Sequence, residues 1–159
     1  MKRNKLQIIG VKIEHKPDED PDTSWLGEYS NTPKEHAIDR QERGDMGRNE
    51  FRYFNPAMSG EQTGNPESPE QDYQRMESLN AGQWCFIGII AKAELRNPAT
   101  SVTQVVRSGG LWGIESDSEK DYLASVEKGQ LAELRAELLA FGIGPRGIAH
   151  AFKSVQHLS

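Results

Sequence analysis

Glu115 and Asp117 stand two residues apart, just beyond Trp112, in the stretch RSGGLWGIESDSEKDYLASVEKGQLAELRAELLAFGI that runs from Arg107 to Ile143. Two carboxylates facing one cleft beside an indole would suit general acid–base chemistry or a hydrolytic metal site, as in a small hydrolase or transferase. That chemistry needs a partner base or cation, and the sequence identifies none. Capping of the helix that follows explains the same acids, Glu119 included. Gly109, Gly110 and Gly113 bracket Trp112, but no Lys-Ser/Thr pair follows them and no dinucleotide fingerprint is present. These four residues read as structural, a corner between a strand and a long helix.

Other chemistries find less support. His15, His36, His150 and His157 are dispersed, and none is spaced with a second His or Cys as a zinc site requires. Asp18, Asp20 and Asp22 alternate as in a calcium loop, but Thr23 occupies the glycine position and Tyr29 the position of the bidentate Glu. Cys85 lies in an apolar run and reads as a buried small hydrophobe. No metal and no cofactor is expected, and the chain leans towards a non-enzymatic role.

The elements that must position these residues are legible from periodicity. Strands are predicted over 6–14 (with a bulge at Gly10), 50–54, 84–95, 101–107 and 111–115. The pair 84–95 and 101–107 reads as an antiparallel hairpin, and Gly88 as a place where a helix packs closely. Ser68-Pro69-Glu70-Gln71 has the form of a capping box opening a helix over 69–80. A C-terminal helical pair spans 118–141, capped by Asp117 or Ser118 with an apolar stripe from Tyr122 to Phe141, and 145–155, whose stripe ends at Val155. Gly129 marks a kink or a break into two helices, and the tail from Gln156 frays. The segments 17–33 and 55–68 read as long loops, the first carrying Trp25, Leu26 and Tyr29. The expected fold is a single α+β domain: an antiparallel sheet of three to five strands, packed against the helix at 69–80 and the helical pair.

The 159 residues carry a net charge of -5, and 35% of them are hydrophobic. Only one cysteine is present, which suits a reducing compartment. No apolar run approaches the roughly 20 residues needed to span a bilayer, and the basic start MKRNKLQIIGVKIEHK is too interrupted for a signal peptide, so the host cytoplasm is the expected location. Charge is unevenly spread. Residues 14–28 hold six acids against Lys16, residues 61–77 five against Arg75, and residues 115–127 five against Lys120. Such patches repel phosphate backbones and attract basic protein surfaces, which argues against direct nucleic-acid binding. The opposing detail is the N-terminus, where Lys2, Arg3, Lys5 and Lys12 face no acid and would serve a nucleic-acid-binding regulator.

The segment SGGLWGIESDSEKDYLASVEKGQLAELRAEL resembles small proteins encoded by bacteriophages and integrative mobile elements. DPDTSWLGEYS, GRNEFRYFNP and EQDYQRMESLNAGQWCFIGI resemble the same group, so the similarity covers Asp20 to Gly142. It brings no catalytic residues with it. What it implies is a setting, because accessory proteins of mobile elements often act on host defences. The expected function is therefore binding and inhibition of a host protein, such as a nucleic-acid-handling defence complex. The contact residues would be Asp18, Glu19, Asp20, Asp22, Trp25, Glu115, Asp117 and Glu119.

Overall fold

A computed structural model describes residues 5–47 and 49–158. The chain is α+β and divides into two compact units. One comprises the described residues up to Glu19 together with those from Cys85 onward; the other is Asp20–Trp84.

The first unit is built on a five-stranded sheet. Strand β1 (Gln7–Pro17) changes phase between Ile8 and Gly10, the bulge that the glycine predicts, and pairs antiparallel with β5 (Phe86–Arg96). Strands β6 (Thr103–Arg107) and β7 (Leu111–Glu115) both pair antiparallel with β5, β6 with its C-terminal half and β7 with its N-terminal half. Residues 108–110 are therefore an irregularity within one edge, not the corner leading to a helix that the glycines suggest. Ser108 holds the ladder together there. Its N–H donates to the Ala91 carbonyl at 2.9 Å, and its hydroxyl accepts from the Ala91 N–H at 2.9 Å. The same hydroxyl donates to Gln130 Oε1 at 2.6 Å, and the Gly110 N–H donates to that oxygen at 2.9 Å. Both Ser108 and Gln130 are buried, so this relay satisfies polar groups that would otherwise be stranded. At Gly88 an added Cβ would lie 2.2 Å from the Trp112 ring; the close neighbour is this indole rather than a helix.

Alternation along β1 and β5 defines the core face: Val11, Ile13, Ile87, Ile89, Ala91, Ala93 and Leu95. Helices α4 (Lys120–Ala140) and α5 (Pro145–Ala151) cover it, presenting Val126, Leu134, Leu138 and Ile148. The stripe on α4 is narrower than its apolar periodicity suggests, since Tyr122 and Phe141 are exposed. The helix runs unbroken through Gly129. Its start also differs from expectation. Neither Asp117 nor Ser118 caps it; Glu119 stands at the N-cap without a side-chain bond, while the Ser118 hydroxyl turns back to the Glu115 carbonyl at 2.6 Å. After α5 a 3₁₀ turn at Phe152–Ser154 leads into β8 (Val155–Leu158), which pairs parallel with β1. Val155–Leu158 is thus the opposite edge of the sheet and not a frayed helix: Val155 leaves the helical stripe and pairs with Val11.

The second unit has a three-stranded antiparallel sheet in the order β2 (Gly27–Ser30), β4 (Tyr53–Pro56), β3 (Ile38–Asp39). The strand predicted at 50–54 belongs here, and parts of both long loops become ordered elements. Asp39 caps the short helix α1 (Arg40–Arg43), and Ser59 with Gln62 forms a capping box on α2 (Gly60–Thr63). The box predicted at Ser68 is absent: α3 (Ser68–Asn80) begins without a side-chain cap, with Pro69 in its first turn. Tyr73 and Met76 of α3 are buried in this unit, Tyr73 with its ring centroid 5.3 Å from that of Phe54.

Candidate functional site

A cleft of about 930 Å³ opens in the Asp20–Trp84 unit. Strand β2 supplies Glu28 and Tyr29, α1 supplies Arg40, and α3 supplies Met76, Glu77, Leu79 and Asn80. Such a volume falls in the range of small-ligand sites. Its polar groups are committed to one another. The Tyr29 hydroxyl donates to Glu77 Oε1 at 2.8 Å and accepts from Asn80 Nδ2 at 3.0 Å. Burial, reinforced by Glu77, raises the Tyr29 pKa well above its ordinary value, so the phenol stays protonated at neutral pH.

Arg40 is 1% exposed. A buried guanidinium must be compensated, and four backbone carbonyls do so: Nη1 donates to Asn49 and Phe51, Nη2 to Asp45 and Met46. Its Nε lies 3.4 Å from Glu77 Oε1 but completes no hydrogen bond. The guanidinium carbon also sits 4.9 Å from the Tyr29 ring centroid. Arg40 is therefore a strut that ties Asp45, Met46, Asn49 and Phe51 to the cleft wall. No histidine, cysteine or serine is among the described residues lining the cleft.

None of the contact residues expected from sequence lines that cleft, although Tyr29 of the aromatic-bearing loop does. Asp18, at the end of β1, accepts from the Gly113 N–H through Oδ2 at 3.2 Å, which brings it beside β7. Glu115 ends β7 half-buried, while Asp117 is exposed in the following turn and Glu119 is exposed at the start of α4. Glu19 and Asp20 are exposed. Asp22 accepts from Ser24 N at 2.9 Å and Ser24 Oγ at 2.5 Å, and those bonds lower its pKa. The resulting turn precedes Trp25, which is 48% exposed, while Leu26 is buried. Cys85 is exposed, because the strand begins one residue later at Phe86. Of the basic N-terminal residues, Lys2 and Arg3 lie outside the described residues. Lys12 lies on β1.

Sequence reasoning missed a third arrangement. Glu127 on α4 meets two histidines: His15 Nε2 at 2.7 Å from Oε1 and His157 Nε2 at 3.3 Å from Oε2. Spacings of 112 and 30 residues carry no local signal; only the pairing of β8 with β1 brings the two imidazoles to one carboxylate. Among the described residues, no group of three or more His, Cys, Asp or Glu is arranged to hold a metal ion, and no helix is long and apolar enough to cross a membrane. Comparison with family models, curated proteins and solved structures finds no match.

Proposed function

We propose that this is a non-enzymatic accessory protein of a phage or mobile element that binds and inhibits a host protein, one whose basic surface handles nucleic acid. The observation that carries the reading is the bond between Asp18 and the Gly113 N–H. It joins two segments 95 residues apart in sequence, each followed or carried by acids, at one end of the five-stranded sheet. Asp18 and Glu19 thereby share an edge with Glu115 and Asp117, and such an edge complements a basic groove more than a substrate. Attraction between these surfaces steers encounter and weakens as salt screens it. The second unit, taken by itself, carries a smaller group of the same character, Asp20 and Asp22 before the exposed Trp25, an anchor type that often dominates protein interfaces.

The test is co-purification from host lysate with the wild-type chain and with Asp18→Asn/Glu115→Gln/Asp117→Asn, whose fold is checked by circular dichroism. The wild type should retain a basic protein at about 50 mM salt and release it as the Debye length shortens towards about 3 Å near 1 M. The triple variant should retain at least about tenfold less. Equal retention by both chains, or no partner at low salt, would refute the reading.

A further inference from the structure

The face of the five-stranded sheet opposite the helices carries an arrangement that the net charge conceals. Directly paired residues on neighbouring strands share a face. Lys12 of β1 pairs with Lys92 of β5, and Lys92 pairs with Arg107 of β6. Three cations thus stand in one row across three adjacent strands, extended on β8 by Gln156, the partner of Lys12. Like charges directly opposite one another destabilise a sheet, so the fold itself gives no reason for the row. Nearby acids compensate it only in part. Glu14 bonds Lys92 and lies 3.8 Å from Lys16, and its pKa is lowered first by the Lys92 bond, with Lys16 and Arg107 adding attraction. Lys12 and Arg107 form no ion pair among the described residues. Glu94, opposite Gly10 and Val105, and Glu115, opposite Phe86 at the far end, are the other acids of this face.

Further along the same face, Lys16 pairs with Gly88, and the Trp112 indole lies over that glycine. The absence of a side chain at Gly88 lets the ring pack against backbone, yet the residue remains 45% exposed. Four residues of strand separate Gly88 from Lys92, about 13 Å at the usual rise. A cationic row beside an exposed aromatic platform is the combination that binds single strands: cations take the phosphates and the ring stacks a base. Three strand spacings make the band about 15 Å wide, and Glu14, Glu94 and the acidic end at Asp18 border it. These acids disfavour the closely spaced phosphates of a duplex.

We infer that this face, through Lys12, Lys92, Arg107, Lys16 and Trp112, binds single-stranded nucleic acid. The inference is independent of the acidic edge. It is tested with the full chain and a fluorescein-labelled 15-nucleotide oligothymidine, followed by anisotropy and tryptophan fluorescence. Binding is expected at about 50 mM salt, and three phosphate contacts predict about 20-fold weakening at 200 mM. Lys12→Gln/Arg107→Gln should weaken binding at least about tenfold and flatten the salt dependence. Trp112→Phe should remove most of the tryptophan quenching. Lys120→Gln/Lys128→Gln, exposed cations on α4, should leave binding unchanged. The proposal is overturned if the strand does not bind at 50 mM salt, or if the Lys12/Arg107 variant binds as the wild type does. It is equally overturned if duplex DNA, heparin or polyglutamate binds as tightly as the single strand.

Discussion

Asp39 and Arg40 are sequence neighbours with charges held in opposite ways. Arg40 is sealed beneath a ring of carbonyls, whereas Asp39 both caps α1 and takes a forked contact from Arg52, whose Nη2 lies 2.7 Å from Oδ2. The Arg52 bond, aided by the Gln41 and Glu42 amides, holds the Asp39 carboxyl below its ordinary pKa. A depressed carboxylate stabilises the fold above its unfolded pKa, about 3.9, and that contribution is lost as pH falls through the folded value. Asp39→Asn keeps a capping side chain but removes the charge. It should lower Tm by a few degrees at pH 7, with the gap narrowing as pH falls below about 3.9. A gap equally large at pH 2.5, measured by thermal melts under matched salt, would refute this assignment. Neither role was readable beforehand: 34–43 carries almost no apolar signal, and what places these residues is pairing with strand β4.

At the scale of elements, the β6–β7 edge and helix α4 explain each other. Gln130 projects from the helix into the interruption at 108–110 and answers the Ser108 hydroxyl and Gly110 N–H together. Apolar periodicity located α4 but could not register it on the sheet, because the registering residue is polar. It also misplaced the kink. Gly129 lies within a continuous helix, and an added Cβ there would meet nothing within 4 Å. Gly129→Ala should therefore stabilise the chain by about 0.5–1 kcal/mol, the helix-propensity difference, seen as a higher urea midpoint at unchanged m. Destabilisation would mean that the position needs glycine for a reason the packing does not reveal.

At the scale of the molecule, β1 and β5 are each other's principal partners although a 65-residue unit, Asp20–Trp84, separates them. The ends of that excursion meet: the Asp18 N–H donates to the Phe86 carbonyl at 2.8 Å. Replacing residues 20–84 by a four-residue Gly/Asn linker would turn β1 and β5 into a hairpin, shortening the loop by four halvings and lowering its closure cost by about 2 kcal/mol. The shortened chain should retain a cooperative thermal transition and the amide-exchange protection of Ile89, Ala91 and Ala93. A non-cooperative melt would show that the five-stranded sheet does not hold without the second unit. The molecule also sorts its charge. A chain of net charge -5 gathers acids at the Asp18–Glu115 end of the sheet and aligns cations at Lys12, Lys92 and Arg107.

The amino-acid order by itself determined what depends on near neighbours. Alternation marked β1, a run apolar on both faces marked β5, β-favouring Val and Thr marked β6 and an apolar patch β7. The phase change at Gly10 marked a bulge, and Pro69 the first turn of α3, because strand faces and helix starts are set within a few residues. Tertiary structure alone decided which strand lies beside which. It sent the strand at 53–56 to a second sheet, returned Val155–Leu158 parallel to β1, and joined His15, Glu127 and His157. Such meetings depend on chain closure and on how buried polar groups are satisfied across the whole fold. The candidate surfaces belong to that second kind. Asp18 reaches Gly113, and Lys12 reaches Arg107 by way of Lys92, only after the sheet has formed.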